Sequence, residues 1–552
     1  MVKRLMTQVA ALRNNRSGAA GDGAGLAASA PQLVTNLKAV LKPVAPSSGY
    51  GKAPTYPLLV PLSAGGGSWT PLGNLSDGSI SGAPFQGRSD HGMVAYGKHV
   101  YVIGGYGATA DGQEEVLTQV VRYDTETGVW EEVAPLPEPR CRFATALVGD
   151  AIYVISGTAL TDFESGPSDT VLIYNLTADT WTSGPRLAVS RIDACAAALD
   201  GKVYVFGGFD ATYASLRSVE VLDVGVAAAA PRGSSEYYWR LLPQDSWMTE
   251  SRADCRAVTV TPPAPTRSPL NRSGGGGSGA AASPASSPAT AAAAPVIVVA
   301  GGVQYLPNTN KSCDGLLWVN CYRVLSSVHV FDPRQASPAI SSGTATSNSS
   351  TTTSAGPEAG GRGWRALAPM LWPRSDFGLA VLPGGRLLAA GGEWSNGAVF
   401  QLARQQVEEL SGDWGVATAP GGGGSGSGGA GGGQGGVWVA KAPLPEARFR
   451  TELVYVGGGT AVILGGVPTC GRAPNARMAA ADACHLKALG TGAVYHDDRH
   501  AAAATAAAWA QAALGNTAGI AEGEEGAGDA VDVVAALLPQ LFAALYADAG
   551  EL

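Results

Sequence analysis

Six arginines recur at one place in a repeating unit, and their surroundings are suited to charge recognition. The segments are Arg88-Ser89-Asp90, Arg140-Cys141-Arg142, Arg191-Ile192-Asp193, Arg252-Ala253-Asp254, Arg374-Ser375-Asp376 and Arg448-Phe449-Arg450. A guanidinium can hold a carboxylate through two parallel N–H donors, so such a set could grip an acidic ligand. In an extended strand the residue two positions on points the same way. The four aspartates could therefore equally neutralise the arginines beside them, which would make the set architecture. Arg142 and Arg450 stand where the other units have aspartate and are the better ligand-contact candidates. His91, beside Asp90, could donate a hydrogen bond in the same place.

Other reactive side chains give less. Seven cysteines are present. Cys141, Cys195 and Cys255 sit close to the arginines in apolar runs and read as buried thiols. Cys313 and Cys321, and Cys470 and Cys484, fall pairwise within two short segments. The six histidines do not cluster. His496 to His500 offers potential ligands at a strand end, but nothing with metal-site spacing, so no metal and no cofactor are assigned. No nucleophile–base set stands out, and no catalytic residue is assigned.

The elements that must position these residues are repeats. Six β-branched or aliphatic runs end in a small-residue pair: Gly104-Gly105, Ser156-Gly157, Gly207-Gly208, Gly301-Gly302, Gly391-Gly392 and Gly465-Gly466. Each run has the length and composition of a buried strand. The arginine precedes the pair by 16 or 17 residues in five units, and Arg252 is displaced from its pair by an insert. Downstream come an aromatic or aliphatic strand (Tyr123, Tyr174, Val221, Phe331) and then a tryptophan (Trp130, Trp181, Trp239, Trp364, Trp438). The smallest spacing between equivalent residues is about 50, a propeller-blade period.

The glycine pairs, the tyrosine and the following tryptophan resemble kelch repeats, from about Trp69 to Asp498. The departures are Ser156 for a glycine, Val221 for the tyrosine, and no clear tyrosine in the fifth unit. The resemblance implies an all-β, kelch-type β-propeller whose blades have four antiparallel strands, a to d from the inside out. Six blades fit best, with the strand around Trp69 completing the last blade, whose tryptophan strand is missing. A seventh blade would need Trp414 in a unit of its own, and no glycine pair accompanies it.

The chain then divides into a disordered arm (1–65), a propeller (66–498) and an Ala-rich, partly helical tail (499–552). Low-complexity inserts at 227–235, 262–295, 335–362 and 416–436 are expected to be disordered. All four fall in a–b or c–d loops. The opposite face, made of d–a and b–c loops, is left uncluttered and is the expected working face. The six arginines should ring the channel mouth there, and in kelch domains that recruit peptides, arginines of such loops grip acidic ligands. Cys313/Cys321 and Cys470/Cys484 fall in b–c loops of the fourth and sixth units and are candidate loop-stapling disulfides.

The net charge of −8 argues against nucleic acid as the main partner. No stretch of 18 or more apolar residues suggests a membrane-spanning helix. The basic N-terminus has an apolar run too broken for a secretory leader, whereas the paired cysteines favour an oxidising compartment, so cytoplasmic and secretory or extracellular locations both stay open. The leading functional expectation is a non-catalytic interaction scaffold for a protein or peptide ligand. A secreted or surface protein with a structural or carbohydrate-binding role is the alternative, and a galactose-oxidase-like copper enzyme a remote one, since His91 has no second histidine in an equivalent inner loop.

Overall fold

The runs that end in the glycine pairs form the most deeply buried strands: Val100, Val102 and Ile103, Ile152, Val154 and Ile155, and Val203, Val205 and Phe206 are all 0% exposed. Branched side chains on both faces of a pleat suit a strand covered from both sides. The computed structural model describes residues 67–72, 87–108, 114–159, 166–234, 237–263, 293–306, 321–336, 361–394, 402–412, 414, 436–468, 489 and 491–497.

Among the described residues are six four-stranded antiparallel sheets. From the innermost strand outward, the first sheet is Gly92–Tyr96, His99–Ile103, Val120–Asp124 and Trp130–Val133. The second is Ala144–Val148, Ala151–Ile155, Val171–Asn175 and Thr180–Ser183. The third is Cys195–Leu199, Lys202–Phe206, Val219–Asp223 and Arg240–Leu241. The fourth is Arg256–Val260, Val296–Ala300, Val328–Phe331 and Trp364–Leu367. The fifth is Gly378–Leu382, Arg386–Ala390, Val407–Ser411 and Val437–Lys441. The last is Glu452–Gly457, Thr460–Leu464 and Gly492–His496, closed on its outside by Ser68–Leu72 from the other end of the repeat region. That outer strand runs in register from Ser68↔His496 to Leu72↔Gly492, so the two ends of the repeat region are tied together.

Apolar cores lie between neighbouring sheets rather than within them. Val102 and Trp130 pack with Val462 and Leu464 from the last sheet, and Val205 and Trp239 pack with Ala144 and Ile155 from the second. Trp414, the residue a further unit would need, is buried in the core between the fourth and fifth sheets. At five of the six sheets the outer-strand tryptophan also makes a polar contact with the preceding sheet. Its indole N–H donates to a backbone carbonyl there: Trp181 to Ala134 at 2.8 Å, Trp239 to Pro185 at 3.0 Å, Trp364 to Ser246 at 2.9 Å, Trp438 to Ala368 at 2.8 Å and Trp69 to Ala442 at 2.9 Å. The aromatic of strand c packs on this ring, with centroids 4.8 Å apart for Tyr123–Trp130 and for Phe331–Trp364.

The glycine pair and the arginine form the second junction. The first residue of each pair has φ between 50° and 68° and the second between 86° and 107°. A Cβ on Gly207 would come within 2.1 Å of the Arg252 carbonyl of the next unit. The chain comes that close because the second glycine's N–H donates to the same carbonyl: Gly105 to Arg140, Gly157 to Arg191, Gly208 to Arg252, Gly302 to Arg374, Gly392 to Arg448 and Gly466 to Arg88, at 2.8 to 3.1 Å. The series closes on itself. Ser156 keeps the left-handed conformation of the glycine it replaces, and its hydroxyl donates to the Arg191 carbonyl.

Two expectations are corrected. The tract 227–235 is not simply disordered, because Val224–Ala229 is a short helix, with the Asp223 carboxylate capping the Val226 N–H at 3.1 Å and Ala227 buried against the neighbouring core. An alanine run next to a good N-cap residue is a helix start. Cys195 and Cys255 are not buried thiols but a disulfide, with Cα atoms 5.6 Å apart, joining the inner ends of the third and fourth sheets. Sequence spacing could not show this, because the two lie 60 residues apart on different sheets. Cys141 remains a buried free thiol. The arm 1–65, nearly all of the other three inserts and the tail 499–552 lie outside the described residues, while the strands flanking those inserts are a and b for 262–295 and c and d for 335–362 and 416–436.

Two stability predictions follow from these junctions. Arg374→Met should lower the unfolding free energy by about 3–5 kcal/mol by leaving Glu408 buried without its partner, and adding Glu408→Leu should recover most of the loss. Urea titration of the three proteins checks both. Cys195→Ser should cost about 4 kcal/mol by the chain-entropy estimate for a loop of this length, read as a lower denaturation midpoint than wild type under non-reducing conditions and no difference under reducing ones.

Candidate binding site at the channel mouth

The six repeated arginines do not ring the mouth as free side chains. They are 0–2% exposed and buried within the junctions between sheets. Each Nη1 donates to the carbonyl of the first residue of its own glycine pair: Arg88 to Gly104, Arg140 to Ser156, Arg191 to Gly207, Arg252 to Gly301, Arg374 to Gly391 and Arg448 to Gly465, at 2.6 to 2.9 Å. Nη2 turns to a carboxylate or amide oxygen. In the third and fifth units this is a strand-c glutamate, Glu220 at 2.5 Å and Glu408 at 2.6 Å. In the second, fourth and sixth it is the glutamate two residues before the arginine: Glu138, Glu250 and Glu446. In the first it is the side-chain oxygen of Gln119. Burial lowers Arg88 to about 9 and Arg140, Arg252 and Arg448 to about 10, still cationic near neutrality. The glutamate partners were legible only as a repeated Glu-X-Arg in three units, a signal the sequence reading passed over.

The residues two positions on part from the arginines because of one torsion. Asp90, Arg142, Asp193, Asp254, Asp376 and Arg450 all have φ of 50–55°. A left-handed residue breaks the strand alternation, so the arginine turns into the junction while the following charged side chain lines the axis. Their backbones close a second ring, each N–H donating to the carbonyl of the residue before it: Arg142 to Asp90, Asp193 to Arg142, Asp254 to Asp193, Asp376 to Asp254, Arg450 to Asp376 and Asp90 to Arg450, at 2.8 to 3.2 Å. The expected pairing of each aspartate with the arginine two residues earlier is therefore corrected. Asp90, Asp193 and Asp376 are served instead by Arg142 and Arg450.

The resulting recess is lined by the six ring residues together with His91, Phe143, Ala194, Arg256 and Glu452. Arg142 holds Asp193 through both nitrogens of its fork, with Nε to Oδ1 at 3.1 Å. Arg450 is shared between Asp90 at 3.6 Å and Asp376 at 4.0 Å. Burial works against both guanidinium charges, but Asp193 for Arg142, and Asp90, Asp376 and Glu393 for Arg450, hold them above the usual arginine range. Deeper in the channel, Arg256 and Glu452 pair at 3.3 Å. The carboxyls are pushed the other way. Burial, then Asp376 and Asp193, raises Asp254 well above the usual range. Burial, then Asp193, raises Asp376 to about 7, and burial, then Asp376, raises the nearby Glu393 to about 8.

The b–c loops frame this end of the channel. Three of them contain hairpins: Tyr106–Ala108 with Glu114–Val116, Val303–Tyr305 with Tyr322–Val324, and Glu393–Trp394 with Leu402–Ala403. Between the third and fourth units, Phe209, Tyr213, Tyr305 and Tyr322 form an aromatic wall, with Phe209–Tyr213 and Phe209–Tyr322 centroids at 5.8 Å and Tyr305–Tyr322 at 5.4 Å. Arg142 lies over the Tyr213 ring at 5.8 Å. This wall has no sequence signature, because its residues have no common spacing.

Of the cysteines offered as loop staples, Cys321 is disulfide-bonded, while Cys313, Cys470 and Cys484 lie outside the described residues. Among the described histidines, His91 alone lines the recess. His99 lies 3.6 Å from Asp124 and His329 3.0 Å from Arg252, both away from the axis. Among the described residues no group of three or more His, Cys, Asp or Glu side chains is placed to hold a metal ion.

A ring of closed antiparallel blades with these arginine, glycine and tryptophan junctions defines a β-propeller of the kelch type. Sequence comparison agrees. Residues 73–215 match the family model described as the Attractin/LZTR1 beta-propeller. The chain is 33% identical over 143 residues to human kelch repeat and BTB domain-containing protein 12, covering 24% of this chain and 23% of that one. It is 35% identical over 111 residues to human kelch-like protein 23 (20% and 18%), and 28% identical over 142 residues to alpha-scruin of Limulus polyphemus (26% and 14%). The chain thus matches about a quarter or less of the length of these relatives. The matched family model and these relatives support a kelch-repeat propeller family for the repeat region.

The site predicts a pH dependence of stability. In the folded chain Asp376 and Glu393 keep protons that an unfolded chain releases near pH 4. Their contribution is complete below that pH and is lost as pH rises through about 7 and 8. His91, lowered to about 3 by burial and then Arg88, acts in the opposite sense, but only below its unfolded value of about 6.5. From roughly pH 6.5 to 8.5 the unfolding free energy should therefore fall, and Glu393→Gln should flatten that fall, as measured by denaturant titration at each pH.

Proposed function

We propose that this chain is a non-catalytic protein-interaction scaffold whose protein or peptide ligand docks on the face made by the d–a and b–c loops. One observation carries the reading. The recess at that end of the channel gathers charged side chains that line the axis, whereas the repeated arginines are consumed by the blade junctions. The framing hairpins and the aromatic wall supply the larger surface a peptide needs, since aromatic side chains contribute much of the affinity at such interfaces. The kelch-repeat relatives support an interaction scaffold as the general class. Within the site, Arg142, Arg450, Asp90 and His91 are the ligand-facing candidates, and Arg88, Arg140, Arg191, Arg252, Arg374 and Arg448 hold the frame.

A second reading is favoured by the disulfides. Cys195–Cys255 and the bonded Cys321 fit an oxidising compartment and so a secreted or cell-surface role, structural or carbohydrate-binding. Thiol counting on protein isolated from its native source decides between the compartments: free Cys195 and Cys255 there would remove the support for this reading.

The docking face is tested by hydrogen exchange on the full chain with peptides selected from a random display library. Protection is expected at 88–91, 140–143, 209–215, 303–305 and 322–324. Protection confined to the opposite loops, such as 97–98 and 224–234, would mean that the wrong face has been chosen.

A further inference from the structure

We propose that the recess takes one cationic group, the ammonium of a lysine or the guanidinium of an arginine presented by the partner, with Asp254 as its counter-charge. The proposal rests on the reading that the partner docks on this face.

The charges of the ring do not balance. Four carboxyls face two guanidinium groups there. Arg142 is taken by Asp193, and Arg450 is shared by Asp90 and Asp376. Below them Arg256 is held by Glu452 and by the carbonyls of Cys255 and Thr451. Among the described residues, the Asp254 carboxylate has neither an ion pair nor a hydrogen bond, although it lines the recess. An anion partly withdrawn from water and left alone is costly unless a cation reaches it or it stays protonated. A ligand cation would remove that cost.

Two further observations point to a ligand. His91 is 4% exposed and lines the same recess, yet neither ring nitrogen has a partner. Burial, and then its neighbours Arg88, Arg256 and Arg448, hold the imidazole neutral, so one nitrogen is free to accept an N–H. The wall beside Asp254 is aromatic. The Asp254 charge acts on both the Tyr213 and Tyr322 hydroxyls, and the two side chains are only partly buried. A carboxylate flanked by aromatic rings attracts a cation through its charge and through the ring faces together. An acidic ligand would have to approach the uncompensated Asp254, because both ring arginines are already engaged.

The test uses the full chain. A random peptide library is displayed against it, and the best retained peptide is made with its basic residue intact, replaced by norleucine, or acetylated if it is lysine. Binding is read by fluorescence anisotropy on wild type and on Asp254→Asn, which is isosteric and keeps the left-handed backbone that asparagine tolerates. The expected result is a pool enriched in lysine or arginine, with binding weakened at least tenfold both by the neutral peptide on wild type and by the variant. A retained pool without a basic residue, mapped by hydrogen exchange to this face, overturns the cationic assignment and leaves the docking face standing. A pool that protects the opposite face overturns both. n-Butylammonium, titrated alone, separates the sources: Asp254-dependent binding of the amine with no peptide retained keeps the cation site but replaces the partner side chain by a free amine. Retention of neither overturns the proposal.

Discussion

A buried guanidinium with nowhere else to go holds this fold together. Removing an arginine side chain from water costs several kcal/mol, and the cost is offset only where the charge is paired and its terminal nitrogens find acceptors. Each repeat does this with its own glycine-turn carbonyl, the carbonyl just before strand c and an anionic or amide oxygen, as Arg374 does with Gly391, Gln406 and Glu408. The same residue's backbone carbonyl then accepts the glycine N–H of the preceding sheet. One residue thus fixes the turn inside a blade and the joint between blades. A lysine could not do this, since a point charge with three donors does not match carbonyls and a carboxylate spread over a planar fork. The glycines follow from the same constraint, because the carbonyl must come closer than a Cβ allows.

This constraint separates architecture from chemistry over a span of two residues. The arginine is drawn into the junction, and the left-handed torsion that follows turns the next charged side chain toward the axis. Four of the six residues there are aspartates, which adopt that conformation more readily than most side chains. Their presence is therefore explained in part by backbone preference. Arg142 and Arg450 are not. A long side chain in this region costs about 1–2 kcal/mol, and both are found against aspartates of neighbouring units. Their charge, rather than their backbone, accounts for them.

How much was legible in the sequence follows the same division. The strand order, the closing strand around Trp69 and the tryptophan junctions were readable because they recur with the period of the repeat, and repetition reports local demands that every blade shares. The placement of the six arginines was misread for a specific reason: side-chain direction was inferred from strand alternation, and the positive φ at Asp90 and its equivalents breaks that alternation. The Cys195–Cys255 bond and the wall of Phe209, Tyr213 and Tyr322 were out of reach because they join different units, and nothing periodic marks a contact between them. Glu220 and Glu408 had no signal beyond being acidic residues in a strand that buries everything around them.

The backbone of the channel mouth repeats six times, as the ring of hydrogen bonds shows, but its charges do not. Going round from the first unit the side chains run acid, base, acid, acid, acid, base. A purely structural ring would gain from strict alternation, which would give every carboxyl a cation on each side. The observed order instead places Asp254 between two aspartates, the arrangement that raises its proton affinity most. The aromatic b–c loops of the third and fourth units stand beside this same point, while the described b–c loops of the first and fifth units carry one aromatic each, Tyr106 and Trp394. Departures from symmetry in charge and in side-chain shape thus coincide at one blade junction. A repeat fold kept for stability alone has no reason to concentrate its exceptions there, whereas a surface that must recognise one side of a ligand does.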